Sequence, residues 1–488
     1  MILKDLIKDK ITADLPAGCG GNEITSLHTD SRAVRPGGLF VAVKGVRDDG
    51  SAYIKEAVEK GAGAVVCQRG IDTSLPPEVC CLRVEDTHDF LRHLVLRFYG
   101  DVSRRIKVIG ITGTNGKTTC TYLLESIFQE AGRPCGVMGT INYRFGGKTY
   151  PAKTTTPGLV ETHDMLARMA LQKTEYGVME VSSHALHQGR VDAIDFRTAV
   201  FTNLTDDHLD YHSTKEDYFE AKSRLFSRLS LKGHAVLNLD DPYGKKLLSR
   251  ISVPFTTYAV DSQAQITAQD IRTDLSGTDF TLATPKGGMS LRTPLIGSHN
   301  VCNILASVGA ALREDIPLSV IKKGVECLGG IPGRLEPVSE GQDFHVFVDY
   351  AHTEDALKNV LSCLKGLISG KLILVFGCGG DRDKGKRPKM ACVAGDLADT
   401  VIVTDDNPRQ EDPESIIADI LEGFHTENFQ VIRKRPQAIR EALRLARKGD
   451  TVLIAGKGHE EVQILKQGAI SLDEKRIVRD SLRQLRTF

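Results

Sequence analysis

The chain has 488 residues, which is more than one hydrophobic core usually supports and predicts about three domains. Apolar residues make up 41% of the chain and charged residues 26%, a composition typical of globular proteins. Lys+Arg and Asp+Glu are both 63, and this zero net charge argues against a protein that coats nucleic acid or an anionic membrane.

The sequence has no apolar run long enough to span a bilayer and no apolar core of a signal peptide near its start. Its eleven cysteines are scattered without a C-x-x-C pair, which favours reduced thiols over zinc or a disulfide framework. We therefore expect a cytoplasmic protein with neither a nucleic-acid nor a membrane partner.

The first hundred residues predict a small α/β domain. Apolar runs at 39–43 and 64–67 are typical of short strands, and 53–60 is a helix candidate that Gly61 ends. A polar break at 100–105 predicts the limit of this domain.

Residues 106–119 are the most informative stretch, because an apolar strand runs into a glycine-rich loop that ends in Lys117-Thr118. Glycines allow backbone N–H groups to close around phosphate oxygens, Lys117 adds a cation, and Thr118 offers a hydroxyl to Mg²⁺. Apolar residues then recur at helical spacing up to Gly132. The common P-loop pattern would place a further glycine at Ile111, but the order of strand, loop and helix still predicts a nucleoside triphosphate site.

Two further strands of the middle region end in polar residues. Glu180 lies at the end of the strand in the run 177–181, next to its last residue, and His208 follows the run 198–202. Ligands bind beyond the carboxyl ends of parallel strands, so Glu180 and His208 are candidate Mg²⁺ ligands beside the phosphate loop. The alternative for His208 is an ordinary hydrogen-bonded loop histidine.

A glycine-rich segment at 329–333 predicts a second linker. Beyond it, strand patterns at 345–349, 371–376, 400–404 and 451–455 alternate with helix patterns at 354–367, 413–424 and 436–447. That alternation predicts a parallel, doubly wound sheet.

Three strand ends of this last region are rich in turn-forming and charged residues: 377–388, 405–409 and 456–460. Together they could form a pocket for a zwitterion such as an amino acid. Each one alone would be an ordinary solvated turn with a capping residue.

The ordered motifs resemble those of the Mur ligases, the ATP-dependent enzymes that add amino acids to peptidoglycan precursors. The resemblance extends over essentially the whole chain and rests on residues 113–119 (Gly-Thr-Asn-Gly-Lys-Thr-Thr), 180–184 (Glu-Val-Ser-Ser-His), 207–212 (Asp-His-Leu-Asp-Tyr-His), 297–303 (Gly-Ser-His-Asn-Val-Cys-Asn), 332–336 (Pro-Gly-Arg-Leu-Glu) and 349–353 (Asp-Tyr-Ala-His-Thr). It implies an α/β protein with three domains: an N-terminal UDP-sugar domain (1–103), a central P-loop ATPase domain (104–333) and a C-terminal Rossmann-like, doubly wound domain for the amino acid (334–488).

Within the family, the sequence is most similar to the members that add meso-2,6-diaminopimelate. Residues 406–409 (Asp-Asn-Pro-Arg) resemble their recognition motif, and members that add lysine lack the arginine. This is physically reasonable, because diaminopimelate carries an extra carboxylate for which a guanidinium is the natural partner. The resemblance implies that diaminopimelate is held by Arg387, Asp406, Asn407, Pro408, Arg409, Gly456 and Glu460.

The resemblance implies two further binding sets. The ATP set is Gly113, Thr114, Asn115, Gly116, Lys117, Thr118, Thr119, Asn300, Arg334 and Asp349. The set for the UDP-sugar peptide is Thr29, Ser31, Val46, Arg47, Asp48, Thr154, Thr155, Thr156, Ser182, Gln188 and Arg190, with Thr154 where the family often has asparagine.

Lys222 lies in an amphipathic segment and, on its spacing alone, is an ordinary helix-surface lysine. The resemblance gives it a different role, because it matches a lysine that is carbamylated and then binds a second Mg²⁺. The implied catalytic residues are Lys117, Glu180, His208 and Lys222, and the implied metal ligands are Thr118, Glu180, His208 and the Lys222 carbamate.

The implied reaction joins diaminopimelate to UDP-N-acetylmuramoyl-L-alanyl-D-glutamate through an acyl phosphate, with ATP and Mg²⁺, in a protein expected to be a monomer. Two alternatives remain open at this point. A folylpolyglutamate synthase-like ligase shares the ATP loop and the domain plan. A P-loop switch protein would hydrolyse its nucleotide without any amino acid.

Overall fold

The computed structural model describes residues 1–10, 19–45, 48–71, 74–208 and 211–485. The helices in this part of the chain are α1 (Leu3–Leu6), α2 (Ile54–Glu59), α3 (Thr87–Tyr99), α4 (Lys117–Glu130), α5 (Leu159–Leu171), α6 (Ser183–His187), α7 (Lys215–Ser223), α8 (Pro242–Leu248), α9 (Ser298–Arg313), α10 (Leu318–Glu326), α11 (Glu354–Lys365), α12 (Lys386–Leu397), α13 (Pro413–Leu421), α14 (Arg435–Leu445) and α15 (Glu474–Leu485).

The strands in the same ranges are β1 (Ser26–His28), β2 (Gly38–Val41), β3 (Ala62–Gln68), β4 (Cys80–Val84), β5 (Lys107–Thr112), β6 (Cys135–Met138), β7 (Asn142–Phe145), β8 (Lys148–Pro151), β9 (Tyr176–Glu180), β10 (Phe196–Phe201), β11 (Leu229–Asn238), β12 (Phe255–Ala259), β13 (Ile266–Asp274), β14 (Gly277–Thr284), β15 (Gly287–Thr293), β16 (Glu336–Pro337), β17 (His345–Asp349), β18 (Leu372–Phe376), β19 (Thr400–Val403), β20 (Phe429–Val431), β21 (Thr451–Ala455), β22 (Val462–Leu465) and β23 (Gly468–Ser471).

The chain forms two compact units. The first combines Met1–Ile109 with Pro134–Arg197, and the second combines Gly110–Arg133 with Thr198–Phe488. The domain limits expected near residues 103 and 333 stay predictions. No helix in the described ranges has the length and apolar character that crossing a membrane requires.

The first unit contains a parallel four-stranded sheet in the order β1-β2-β3-β4. The strands predicted at 39–43 and 64–67 are β2 and β3, and the predicted helix at 53–60 is α2. Helix α3 starts at its N-cap Asp86, whose carboxylate accepts the N–H groups of His88 and Asp89. It ends at Gly100, in the polar break that the sequence indicates.

The second unit contains the predicted doubly wound sheet, in the order β16-β17-β21-β18-β19-β20. All neighbours are parallel except the edge strand β16. Leu374 and Phe376 of β18 pack in one core cluster with residues of α11, α12 and α13. Ile373 and Val375, which point to the other face, pack with residues of α14 and α15. Helices therefore cover both faces, as the prediction of an α/β fold requires.

The three polar strand ends of the last region follow β18, β19 and β21, which are neighbours in this sheet. Parallel strands present their carboxyl ends at one edge, so the three segments meet there. Strands β13, β14 and β15 form antiparallel pairs that the sequence analysis did not anticipate.

Candidate active site

The glycine-rich loop joins β5 to α4 in the predicted order. Gly116 caps α4 with a φ of 86°, a left-handed conformation that glycine adopts without strain. A Cβ atom at Gly116 would overlap the side-chain oxygen of Asn303, and one at Gly113 would overlap the hydroxyl of Thr202. These two positions therefore require glycine, while Ile111 lies in the buried strand before the loop.

The residues that follow β10 hold the glycine-rich loop between β5 and α4 through hydrogen bonds. Asn203 accepts the N–H of Thr114 on its backbone oxygen at 2.9 Å and the N–H of Asn115 on its Oδ1 at 2.9 Å. The hydroxyl of Thr202 donates to the carbonyl of Asn115 at 2.6 Å. Asn203 directly follows the predicted strand 198–202, but nothing in the sequence marks it as a residue that holds the loop. The N–H groups of Thr114 and Asn115 are therefore used inside the protein, and phosphate binding by the first turn of α4 stays a prediction.

The Lys117 ammonium lies against the loop that carries it. Its Nζ donates to the carbonyls of Gly113 at 2.8 Å and Thr114 at 2.9 Å. The neighbouring Thr118 is buried, and its hydroxyl accepts a hydrogen bond of 3.3 Å from Nη2 of Arg334. The Arg334 guanidinium also lies over the ring of Tyr350, 4.8 Å from its centroid. Arg334 therefore adds a second cation at the start of α4, and its contact with ATP stays a prediction.

Asp349 and Asn300, the other residues expected at the nucleotide, hold nearby backbone and side chains. The Asp349 carboxylate accepts the N–H groups of Leu335 at 2.6 Å and Ala351 at 2.7 Å, and burial raises its pKa above the ordinary value. Asn300 donates to the carbonyl of Ile296 at 2.9 Å. A direct contact of either side chain with ATP stays a prediction.

Lys222 is buried, so the interpretation as a helix-surface lysine is wrong. Helix α7 turns this side chain inward, and its Nζ donates to the carbonyl of Gly113 at 2.8 Å. The ammonium also lies 4.3 Å from the ring centroid of Tyr218. Burial and the charge of Lys117 lower the pKa of Lys222 well below its ordinary value, and Asp207 opposes that shift only in part.

Asp207 and His208 contact each other beside this lysine. Nε2 of His208 lies 3.4 Å from Oδ2 of Asp207, and His208 has a left-handed φ of 57°. Burial would raise the pKa of Asp207, but the charges of His208, His352 and Lys386 outweigh it and lower that pKa. Asp207 stays ionised in this setting, a role the sequence analysis did not assign to it. Leu209 and Asp210 of the same motif lie outside the described residues.

In the first unit, Glu180 is buried at the end of β9, as expected. Its carboxylate accepts the N–H of Thr140 at 2.8 Å and the Thr140 hydroxyl at 2.9 Å. In the described ranges no three His, Cys, Asp or Glu side chains lie together so as to hold a metal ion by themselves. Isolated carboxylate and hydroxyl donors still suit Mg²⁺, because this ion is usually held by one or two carboxylates together with substrate phosphates.

Six residues of the expected set for the UDP-sugar peptide form one hydrogen-bonded cluster in the first unit: Thr154, Thr155, Thr156, Ser182, Gln188 and Arg190. The Thr156 hydroxyl donates to the Glu180 carbonyl at 2.9 Å and accepts the N–H of Ser182 at 3.0 Å. Arg190 donates to Oε1 of Gln188 at 2.6 Å and to the Thr156 carbonyl at 3.1 Å. Thr154 and Thr155 belong to the same cluster, since the Thr154 hydroxyl donates to the Thr156 carbonyl at 2.8 Å and Thr155 lies 3.1 Å from the Thr140 hydroxyl.

The first unit also contains a cavity of about 870 Å³. Five residues of the expected UDP-sugar set line it: Thr29, Ser31, Asp48, Gln188 and Arg190. Val46 and Arg47 of the same set lie outside the described residues. The structure thus brings five of the eleven residues of this set together around one cavity.

Asn407 joins two of the polar strand ends in the second unit. Its Nδ2 donates to Oε2 of Glu460 at 2.9 Å, and its Oδ1 accepts from Nζ of Lys457 at 2.9 Å. Lys457 is fully buried and also contacts Glu460 at 2.9 Å. The N–H of Ile464 in β22 donates to Asn407 Oδ1 at 2.9 Å. Lys457 and the hairpin that contains β22 therefore hold Asn407 and Glu460 in place. The sequence alone did not mark either of them as part of the site.

Arg409 is a partly buried cation that forms no ion pair with an acid in the part of the chain that the structure describes. Its Nη1 donates to the carbonyl of Gly380 at 2.7 Å, and its N–H donates to the carbonyl of Ile464 at 3.0 Å. Within the described ranges, no carboxylate oxygen lies within 4.0 Å of its guanidinium nitrogens. Burial and the nearby Arg382 lower the pKa of Arg409. A half-buried guanidinium in this state is suited to an incoming carboxylate.

Arg387, also expected at the amino acid, is instead buried in an ion-pair cluster. Its guanidinium donates to both carboxylate oxygens of Glu411, at 2.8 and 2.7 Å, and to Oδ2 of Asp419 at 2.7 Å. Hydrogen bonds from Arg387 lower the pKa of Glu411 to about 2, against the opposing effect of burial. The segment 377–388 is therefore not merely a solvated turn, and a direct contact between Arg387 and a ligand stays a prediction.

Asp406 and Gly456 lie side by side at the same edge of the sheet. Asp406 is buried, and a Cβ atom added at Gly456 would approach its Oδ2 to 2.8 Å. Pro408 is also buried, and a Cβ atom at Gly380 would overlap its carbonyl oxygen. The expected amino-acid residues thus converge at one edge of the sheet, where Arg409, Asp406 and Glu460 supply charges of both signs.

The chain is similar to known proteins over nearly its whole length. The chain matches three family models, described as the Mur ligase family catalytic domain (residues 23–99), the Mur ligase middle domain (111–311) and the Mur ligase glutamate ligase domain (333–458). A protein of Bacillus licheniformis named UDP-N-acetylmuramoyl-L-alanyl-D-glutamate–2,6-diaminopimelate ligase is 44% identical over 476 residues, covering 96% of this chain and 97% of its own.

Two solved structures extend the comparison. One titled as a UDP-N-acetylmuramoyl-L-alanyl-D-glutamate–2,6-diaminopimelate ligase has a TM-score of 0.68 and 32% identity, over 100% of this chain and 99% of its own. A folylpolyglutamate synthase of Mycobacterium tuberculosis, complexed with ADP and AMPPCP, has a TM-score of 0.63 over 80% of this chain and 93% of its own, and its 19% identity shows a shared fold only. The matched domains and the identity over nearly the whole length show that this chain belongs to the Mur ligase family.

Proposed function

We propose that the protein is an ATP-dependent ligase that joins 2,6-diaminopimelate to UDP-N-acetylmuramoyl-L-alanyl-D-glutamate, a step in the synthesis of peptidoglycan precursors. The observation that carries the choice of amino acid is Arg409, a partly buried guanidinium without an acidic partner in the described ranges. The name of the 44% identical relative supports the same reaction.

The nucleotide loop supports the use of ATP. Lys117 and Arg334 place two cations at the start of α4, where the N–H groups of the first turn attract phosphate. Positive charge at this point stabilises the charge that develops during phosphoryl transfer.

The amino-acid site supports a ligand that carries both charges. Arg409 would pair with the distal carboxylate of diaminopimelate, the group that lysine lacks. Asp406 and Glu460 lie at the same edge of the sheet and would accept hydrogen bonds from an ammonium group. Lys457 and Asn407 keep Glu460 in position for this contact.

The chemistry follows from the need to activate a carboxylate. The γ-phosphoryl group of ATP would pass to the side-chain carboxylate of the glutamyl residue, giving an acyl phosphate and ADP. An amine of diaminopimelate then attacks that carbonyl carbon, the amide bond forms, and phosphate leaves with the electron pair of the broken C–O bond. Mg²⁺, when bound, would neutralise the repulsion between carboxylate and triphosphate. The chain's own residues position the reactants, which accounts for much of the acceleration in reactions of this kind.

Lys222 would contribute as a carbamate. Its lowered pKa favours the neutral amine, and only that form can add to carbon dioxide. The buried position beside Lys117 and the phosphate loop would then hold a negative group next to the nucleotide. The metal ligands Thr118, Glu180, His208 and carbamylated Lys222, the monomeric state and the cytoplasmic location stay predictions.

The decisive experiment measures ADP release with ATP and Mg²⁺ while the other two substrates are supplied singly and together. We expect release that requires both the UDP-sugar dipeptide and diaminopimelate, with a tripeptide product detected by mass spectrometry. A folylpolyglutamate synthase would instead respond to a folate and glutamate. Release that ignores every amino acid would identify a switch protein and overturn the proposal.

A further inference from the structure

One acidic side chain of helix α11 contacts the glycine-rich loop between β5 and α4. The helix begins after its N-cap Thr353, whose hydroxyl oxygen accepts the N–H of Ala356. Asp355, in the first turn, is half-buried, and its Oδ2 accepts a hydrogen bond of 2.8 Å from the side-chain amide of Asn115. The two residues are 240 positions apart in sequence. Nothing in the motif analysis assigned a role to Asp355.

Asn115 is held on its other polar groups as well. Its N–H donates to Oδ1 of Asn203 at 2.9 Å, and its carbonyl accepts the Thr202 hydroxyl at 2.6 Å. The side-chain amide of Asn115 is therefore directed at the carboxylate of Asp355, while the backbone of Asn115 is held by the residues that follow β10. Among the hydrogen bonds that the structure gives for Asn115, only the one to Asp355 connects it to the part of the chain that carries the amino-acid site.

The partners of Asp355 in this contact are neutral. Oδ2 also accepts from the side-chain amide of Asn359, one turn further along α11, at 3.2 Å. Two amide donors on one oxygen fix the direction of the carboxylate without neutralising it. Since no cation takes part in either bond, an amide oxygen in place of the carboxylate could accept the same hydrogen bonds.

We infer that Asp355 is a positioning residue for ATP, which holds the side chain of Asn115 and thereby sets the conformation of the phosphate loop. The inference rests on the proposed function only in requiring that the loop between β5 and α4 binds the nucleotide. Asp355 does not touch the phosphates in this role. Its loss weakens nucleotide binding because the loop must then be ordered when the ligand binds.

The experiment is a double-mutant cycle of Asp355→Ala and Asn115→Ala, read out by calorimetric titration with ADP in the presence of Mg²⁺. Each single substitution is expected to raise the Kd for ADP about tenfold, the usual scale for losing a hydrogen bond to a charged group. The double variant is expected to be no weaker than either single variant, because both remove the same contact. Independent, multiplicative losses would overturn the inference, and so would an unchanged Kd in Asp355→Ala.

Three further measurements separate positioning from general destabilisation. Asp355→Asn keeps an acceptor oxygen and is expected to restore ADP binding to near the wild-type level. Glu354→Ala removes the neighbouring acid of the same helix turn, which makes no hydrogen bond to the loop in the described contacts, and should leave the Kd unchanged. In turnover, Asp355→Ala should raise the KM for ATP and leave the KM for diaminopimelate unaltered.

If Asp355→Ala does not fold, Asn115→Ala together with Asp355→Asn still decides the question. A rise in the Kd with Asn115→Ala and wild-type binding with Asp355→Asn support the inference, and wild-type binding in Asn115→Ala overturns it. A wild-type protein that binds ADP but forms no amide with diaminopimelate would refute the proposed function alone, since the cycle uses nucleotide binding only.

Discussion

Lys117 and Lys222 donate to the same backbone oxygen, the carbonyl of Gly113, at 2.8 Å each. Two ammonium groups at one acceptor repel each other, and the buried member gives up its proton more easily. This explains why the pKa of Lys222 is lowered by its burial and then by the charge of Lys117. The arrangement favours the neutral, nucleophilic form of the Lys222 amine beside the phosphate loop.

Substitution Lys222→Ala is expected to abolish most ligase activity, because it removes the group that would become a carbamate. Short carboxylic acids such as acetate should restore part of the activity by supplying oxygens at the vacated position. The measurement is the ligation rate with and without added acid. Lys215→Ala, in the first turn of the same helix and paired with Asp206 at the surface, is the matched control and should keep wild-type activity. A fully active Lys222→Ala protein would refute the role.

Substitution Arg409→Ala should raise the KM for diaminopimelate far more than the KM for ATP. A charge-assisted pair in a partly buried site contributes about 2–4 kcal/mol, which corresponds to a factor of roughly thirty or more. It should not create an efficient lysine ligase, because no acid takes the place of the lost cation. Steady-state kinetics with diaminopimelate and lysine test this.

The matched control for Arg409 is Arg433→Ala. Arg433 lies near the same strand end but is paired at the surface with Glu414 at 2.9 Å. This variant should show the wild-type ratio of specificity constants for the two amino acids. If Arg409→Ala shows that same ratio, the recognition role of Arg409 is wrong, and with it the choice of diaminopimelate.

Substitution Gly116→Ala should weaken ADP binding strongly. The left-handed φ of 86° costs an alanine about 1–2 kcal/mol, and the added Cβ would in addition displace Asn303. Gly132→Ala shows the cost of a left-handed φ without a steric clash, because Gly132 has a φ of 67° and open space around its Cβ position. Calorimetric titration of both variants is the test, and equal affinities would show that the contact with Asn303 does not shape the loop.

Substitution Glu411→Gln should remove a pH-dependent part of the stability. Hydrogen bonds from Arg387 lower the pKa of Glu411 from 4.5 to about 2, so the folded protein binds fewer protons than the unfolded chain between these values. The stabilisation is therefore complete when the pH is above the pKa of Glu411 in the unfolded chain. It is lost as the pH falls through the lower pKa of Glu411 in the folded protein. Urea unfolding should show wild type and variant differing most at neutral pH and converging in acid.

The control for this pH effect is Glu414→Gln. Glu414 is largely exposed and paired with Arg433, so its replacement should change stability little at any pH. A difference between wild type and Glu411→Gln that stays constant from neutral to acidic pH would contradict the assigned role of the Arg387–Glu411 pair.

The local elements could be predicted because their signals are local. The loop before α4 is defined by glycines next to an apolar strand, and helices α11, α13 and α14 begin at or within one residue of the predicted positions. The observed helices end two or three residues earlier than predicted, since the final turn depends on packing and not on composition. The convergence of three strand ends followed from the alternation of strands and helices alone.

The partners of individual side chains could not be predicted. Arg387 matches a family position, but Glu411 and Asp419, which neutralise it, lie 24 and 32 residues away. Lys222 has the sequence context of a surface residue because α7 carries charges on several sides, and only the tertiary structure shows which face is buried. Asp355 likewise carries no signal, since its contact with Asn115 depends on how the second unit folds.

The division of the chain into two interleaved units has a consequence for dissecting this protein. The polypeptide passes between the units at residues 109–110, 133–134 and 197–198. A single cut at any of these points therefore leaves at least one unit without a segment of its own. A fragment that stops near residue 103 would lack 134–197, which includes the side chains of Gln188 and Arg190 on the wall of the cavity. The cavity could be studied apart from the rest of the chain in fragment 1–197, which keeps the whole first unit together with 110–133, or in a polypeptide in which a new linker joins 1–109 directly to 134–197.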